Sequence, residues 1–184
     1  MWTPIRAKSW VCSEWWDVRI IEAGIARKGN NETMIIQKAT LFQGMNPQFL
    51  ENIGKCLAWQ SGPAGTFLFK RGDPADHLYI LGDGRVRLSY GEEGHIALVV
   101  SNPGDGFGWS CLIERDAYTA SAECLVDTTV AKLHKQDLAR ILDQDSQSGL
   151  MFYRRLARLL AERLTDFYRY APAAHGERRA TPGF

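Results

Sequence analysis

The chain has 184 residues, 45% apolar and 23% charged, with 22 basic and 21 acidic side chains giving a formal charge of +1. That composition suits one globular domain with a full core and argues against a protein that works by coating nucleic acid, which needs a phosphate-neutralising excess of Lys and Arg. No run of about 18 apolar residues occurs, so no membrane span is expected.

The N-terminus lacks the uninterrupted apolar stretch of a secretory signal, so a cytoplasmic location is expected. Cys12, Cys56, Cys111 and Cys124 form no C-x-x-C pair, and His77, His95, His134 and His175 are equally scattered. The usual zinc and iron–sulfur spacings are therefore missing, and the cysteines read as small buried hydrophobes. No metal site is expected.

In chain order, residues 1–33 stand apart. Trp2, Trp10, Trp15 and Trp16 crowd the first 16 positions, and a polar stretch from Arg27 to Thr33 follows. Two readings stay open: an extension ahead of a start at Met34, or a Trp-rich arm packed on the body. From Met34 the signals sharpen. Asn46-Pro47 is an N-cap followed by proline at the first helical position, and Phe49, Leu50, Ile53 and Leu57 recur at helical spacing. The helix is expected to end near Gln60-Ser61-Gly62-Pro63.

Nine of the 17 glycines then lie between Gly65 and Gly108. They punctuate short segments at Thr66 to Phe69, His77 to Leu81, Arg85 to Tyr90 and Ile96 to Val100, with Tyr118 to Leu125 and Thr128 to Leu133 following. Many short strands at roughly ten-residue intervals predict an antiparallel sandwich or barrel. Helical period returns at Lys135 to Gln144. A longer helix capped by Ser146 or Ser148 runs to about Tyr170, with an apolar stripe of Phe152, Leu156, Leu159, Leu160, Leu164 and Phe167. That stripe fits either packing on the β domain or a seam with a second copy. Residues 171–184 read as a frayed tail.

Two segments carry a resemblance. Phe69-Lys-Arg-Gly-Asp-Pro-Ala-Asp-His-Leu-Tyr-Ile-Leu-Gly-Asp-Gly-Arg-Val-Arg-Leu resembles the glycine-punctuated β-roll of cyclic-nucleotide-binding domains. Pro103-Gly-Asp-Gly-Phe-Gly-Trp-Ser-Cys-Leu resembles the start of their phosphate-binding cassette. From about Met34 to Tyr170 the chain is similar to the sensor half of the Crp/Fnr superfamily. The resemblance implies a mainly β fold with flanking helices: an antiparallel double-stranded β-helix, a jelly-roll-like β-roll, plus a long C-terminal dimerisation helix. It divides the chain into an arm (1–33), the roll domain (34–145), the dimerisation helix (146–170) and the tail (171–184).

The implied ligand is a cyclic nucleotide or another small flat anion, held by Gly106, Phe107, Gly108, Trp109, Ser110, Cys111, Tyr118, Thr119, Arg163 and Phe167. Physically, Gly104, Gly106 and Gly108 let backbone approach an anion, and the amides of Trp109, Ser110 and Cys111 open a short helix toward it. Two positions depart from the family. Trp109 stands where a glutamate usually bonds the ribose hydroxyl, and Tyr118 where an arginine usually pairs with the phosphate. Charge-assisted bonds are about twice as strong as neutral ones. At about 1.4 kcal/mol per tenfold, their loss moves a micromolar site toward millimolar. Arg115 is a candidate to reach back from the loop.

The resemblance thus implies a ligand-sensing regulatory domain that forms a homodimer through the long helix and signals through a protein partner. Two other readings are weighed beside it: a transcriptional regulator that binds cyclic AMP, and a ligand-free interaction domain. The 14 residues after Tyr170 offer no recognition helix, so no nucleic-acid binding by this chain is expected. No nucleophile with a base, carboxylate pair or metal spacing emerges, so no catalysis is expected.

Overall fold

The computed structural model describes residues 35–90, 95–113 and 115–170. The expectations for the arm at 1–33 and the tail at 171–184 fall outside them. A helical turn at residues 35–38 leads to helix α1, Pro47–Cys56. Asn46 caps α1 by accepting a hydrogen bond from the Phe49 amide at 2.7 Å, with Pro47 at the first helical position.

Eight strands follow: β1 Leu57–Gly62, β2 Phe67–Phe69, β3 His77–Asp83, β4 Val86–Tyr90, β5 His95–Val100, β6 Gly106–Phe107, β7 Ser121–Cys124 and β8 Thr128–His134. A 3-10 helix, Trp109–Leu112, lies between β6 and β7. Helices α2, Lys135–Gln144, and α3, Ser146–Tyr170, close the described chain. The strands form two four-stranded sheets with orders β1-β8-β3-β6 and β2-β7-β4-β5, and every pairing is antiparallel. This is the β-roll with flanking helices that the sequence implies.

Helix α1 stops earlier than its apolar period suggests. Leu57 leaves the helix in an extended conformation and pairs with Leu133, so Leu57 to Gly62 form an edge strand on β8. Helical spacing of Ile53 and Leu57 does not distinguish the two outcomes, because the first residue of a strand and the next turn of a helix both bury Leu57. The cap of α3 also differs. Asp145, rather than Ser146 or Ser148, accepts from the Ser148 amide at 3.1 Å, and the Ser148 hydroxyl donates to the same carboxylate at 2.6 Å.

Strand alternation builds two cores. On β3, Tyr79 and Leu81 face between the sheets, joining Phe69, Val86, Leu88, Phe107, Tyr118, Ala122 and Val130. Leu78 and Ile80 point the other way, into a core with Phe42, Phe49, Ile53, Leu133, Leu138, Ile141, Phe152 and Leu156. A strand buried on both faces reads as a continuous apolar run, as Leu78-Tyr-Ile-Leu does. Phe42 stacks on Phe152 with ring centroids 5.8 Å apart, which fixes the first half of α3 to the helical layer.

Candidate functional site

The cassette starts on β6, whose two residues pair with Tyr79 and Ile80 of β3. Gly106 sits so tightly that a Cβ there would lie 2.9 Å from Leu41 Cδ1. Phe107 is fully buried and stacks near Tyr79, with centroids 5.4 Å apart. Gly108 then adopts φ 76°, ψ 28°, a left-handed conformation that favours glycine, and turns the chain into the 3-10 helix. Trp109 packs against both cores. Ser110 is buried, and the Cys111 thiol donates to the Gly108 carbonyl at 3.5 Å. Burial pushes the Cys111 thiol up to about 12, so it is a neutral packing group at physiological pH.

Tyr118 lies in the opposite wall and is almost wholly buried, with its ring 3.8 Å from that of Phe69. Its hydroxyl donates to the His77 carbonyl at 2.8 Å and accepts from the His77 amide at 3.1 Å. Both bonds turn the hydroxyl into the roll, so Tyr118 does not offer the neutral hydrogen bond to a ligand that the sequence suggests. Desolvation, with Tyr79 alongside, raises its pKa well above the ordinary tyrosine value. Between the walls remains a cavity of about 20 Å³, lined by Gly108, Trp109, Ser110, Tyr118 and Thr119 together with Phe69, Leu88, Tyr90 and Ala120. That is room for about one water, whereas small-molecule sites run to about 300–1,000 Å³. The pocket expected to hold a flat anion is closed in this conformation by its own side chains.

Arg163 of α3 packs against the cassette. Its Nη2 donates to the Gly106 carbonyl at 2.8 Å, and its guanidinium lies 4.3 Å from the centre of the Trp109 ring. Its Nη1 is buried with no hydrogen-bond partner among the described residues. Burial lowers its pKa to about 10, with Asp105 and Tyr90 opposing the shift, and the group stays cationic at neutral pH. Arg115 is not part of this arrangement. It is exposed and lines an adjoining open cleft of about 610 Å³ with Arg71 and Asp116, which shares Tyr90, Tyr118 and Thr119 with the cassette cavity. Thr119 is also exposed, and the Phe167 side chain lies outside the described residues.

Residues 59–145 match the family model of the cyclic nucleotide-binding domain. They belong to that family. Over 135 residues the chain is 29% identical to a CRP-like cAMP-activated global transcriptional regulator of Mycobacterium tuberculosis, covering 71% of this chain and 57% of the relative. It is 28% identical over 136 residues to glutaminase 1 of Bradyrhizobium diazoefficiens, covering 73% of this chain and 21% of that protein. The chain thus spans between a fifth and three-fifths of these two relatives. A putative cyclic nucleotide-binding protein from Geobacter metallireducens has a similar structure, with TM-score 0.63, 26% identity, and coverage of 74% of this chain and 98% of that one. The catabolite activator protein of Thermus thermophilus is similar at TM-score 0.58 and 27% identity, over 69% of this chain and 59% of that one.

Sequence reasoning did not single out His77, whose backbone holds the Tyr118 hydroxyl, or the Gly106 carbonyl as the acceptor for Arg163. Both contacts involve main-chain atoms, which leave no mark on residue identity. The apolar run on β3 and the unusual Trp109 were the available signals.

Proposed function

We propose that this chain is a regulatory module of the cyclic nucleotide-binding family that does not respond to cyclic AMP. Its output is the position of α3, passed on through a second copy of the chain and a protein partner. It carries no catalytic chemistry of its own. The observation that carries this reading is the cavity of about 20 Å³ between Trp109 and Tyr118, with an uncharged side chain at the position where the family usually holds phosphate. No described helix is long and apolar enough to cross a membrane. The exposed side chains of Leu150, Tyr153 and Leu164 support a role for α3 in association.

A thermal-shift and calorimetric titration with cyclic AMP and cyclic GMP tests this reading. The unmodified chain is expected to show no saturable binding below about 1 mM, the affinity range that loss of two charge-assisted contacts implies. The double variant Trp109→Glu, Tyr118→Arg is expected to bind at least tenfold more tightly than the unmodified chain. Micromolar binding of cyclic AMP by the unmodified chain would overturn the proposal.

A further inference from the structure

Helix α3 is held to the rest of the molecule in two different ways along its length. Near its start, Phe152 and Leu156 are buried in the helical core, and Arg155 Nη1 donates to the Thr40 carbonyl at 3.1 Å. Two turns further on the apolar anchoring fades. Leu159 and Leu160 are only partly buried, and Leu164 is 52% exposed. At this point Arg163 reaches across to the cassette. Among the described residues, its bond to Gly106 is the one side-chain hydrogen bond between α3 and a strand of the roll.

The partner of that arginine is Trp109. Trp109 opens the 3-10 helix directly after the left-handed Gly108, so its indole is carried on a turn with little freedom. A guanidinium 4.3 Å from an indole centroid has cation–π geometry, and such contacts strengthen when desolvated. The guanidinium is also fixed in orientation by its bond to the Gly106 carbonyl, on a strand paired with β3. One cost remains: Nη1 is buried without a described partner. A buried donor left unsatisfied is expensive. Its retention here implies that the other two contacts outweigh it.

We propose that Trp109 and Arg163 form an internal latch that takes the place of a ligand, docking α3 on the cassette without any small molecule. The switch is then thrown from the helix side, by whatever draws α3 off the roll, and not by arrival of a nucleotide in the cassette. This inference rests on the reading of the chain as a regulatory module and specifies how that module is controlled.

Hydrogen exchange by mass spectrometry tests the latch, using the full chain and the variants Trp109→Leu, Arg163→Gln and Arg163→Lys. In the first two, exchange at residues 157–165 and 104–112 is expected to accelerate about tenfold or more. Amides of β3 and β8 should keep their unmodified rates, which shows that the variants remain folded. Arg163→Lys should fall between, because an ammonium is a compact point charge that cannot stack its plane on the indole while donating to Gly106. Unchanged exchange at 157–165 in both Trp109→Leu and Arg163→Gln would overturn the latch while leaving the regulatory reading standing. Protection of residues 157–165 that appears only on adding cyclic AMP would overturn both.

Discussion

At the residue scale, Trp109 and Tyr118 make the cassette a packed surface. Tyr118 turns its ring inward. It stacks on Phe69 and closes both of its hydrogen bonds on the His77 backbone. Tyr118→Phe should leave the stack but strand the His77 amide and carbonyl, costing about 1–3 kcal/mol in a urea melt. Titration provides a second check. Burial raises the pKa of Cys111 to about 12 and moves Tyr118, Tyr79 and Cys124 upward as well. In the unfolded chain these groups ionise near their ordinary values of 9.0 for cysteine and 10.0 for tyrosine, while in the folded chain they hold their protons to higher pH. The stability they contribute is fully present below pH 9 and is lost as pH rises above it, by up to about 1.4 kcal/mol per pH unit for Cys111. The lowered pKa of Arg163 acts in the opposite sense, relieving a burial cost only above about pH 10. Urea melts between pH 8 and 10.5 are expected to show falling stability; a flat profile would mean that these groups are exposed in solution.

At the scale of elements, boundaries decide where the site lies. Asn46 does more than start α1: its side chain accepts from Phe49 and also donates to Asp145 and, at 3.4 Å, to Ser148, tying the first turn of α1 to the first turn of α3. Asp145 is held below the usual carboxylate range chiefly by its bonds to Ser148, with a smaller contribution from Asn46. Asn46→Ala therefore removes a cap and a tie together. A loss of about 1–2 kcal/mol, at the upper end for single caps, is expected in thermal unfolding. Strands with alternating residues were legible in the sequence: Val86 and Leu88 are buried as their spacing indicates, and α2 spans Lys135–Gln144 as read. Strand β1 was not, because Leu57 continues the apolar period of α1. Nor was β6, since two residues are too few to show a period.

At the scale of the molecule, β3 and β8 divide the interior into an inter-sheet core and a helical core, and the cassette touches both through Trp109. Phe152 anchors α3 in the helical core with no exposed surface, so Phe152→Ala should destabilise the whole fold by about 3–5 kcal/mol and lower Tm accordingly. The glycine punctuation and the two cassette segments made the family legible from sequence. The docking of α3 on the cassette was not, because it depends on a contact between residues 57 positions apart, made to a main-chain carbonyl. An arginine on a helix and a tryptophan after a glycine turn carry no sign of each other until the roll brings them together.

Arg163 rests on Trp109, and side-chain NMR reads this contact directly. A guanidinium 4.3 Å above an indole centroid lies in the ring-current shielding region, so the Arg163 side-chain protons are expected well upfield of ordinary arginine positions. The shift should vanish in Trp109→Leu. Ordinary arginine shifts in the unmodified chain, unchanged by Trp109→Leu, would contradict the account.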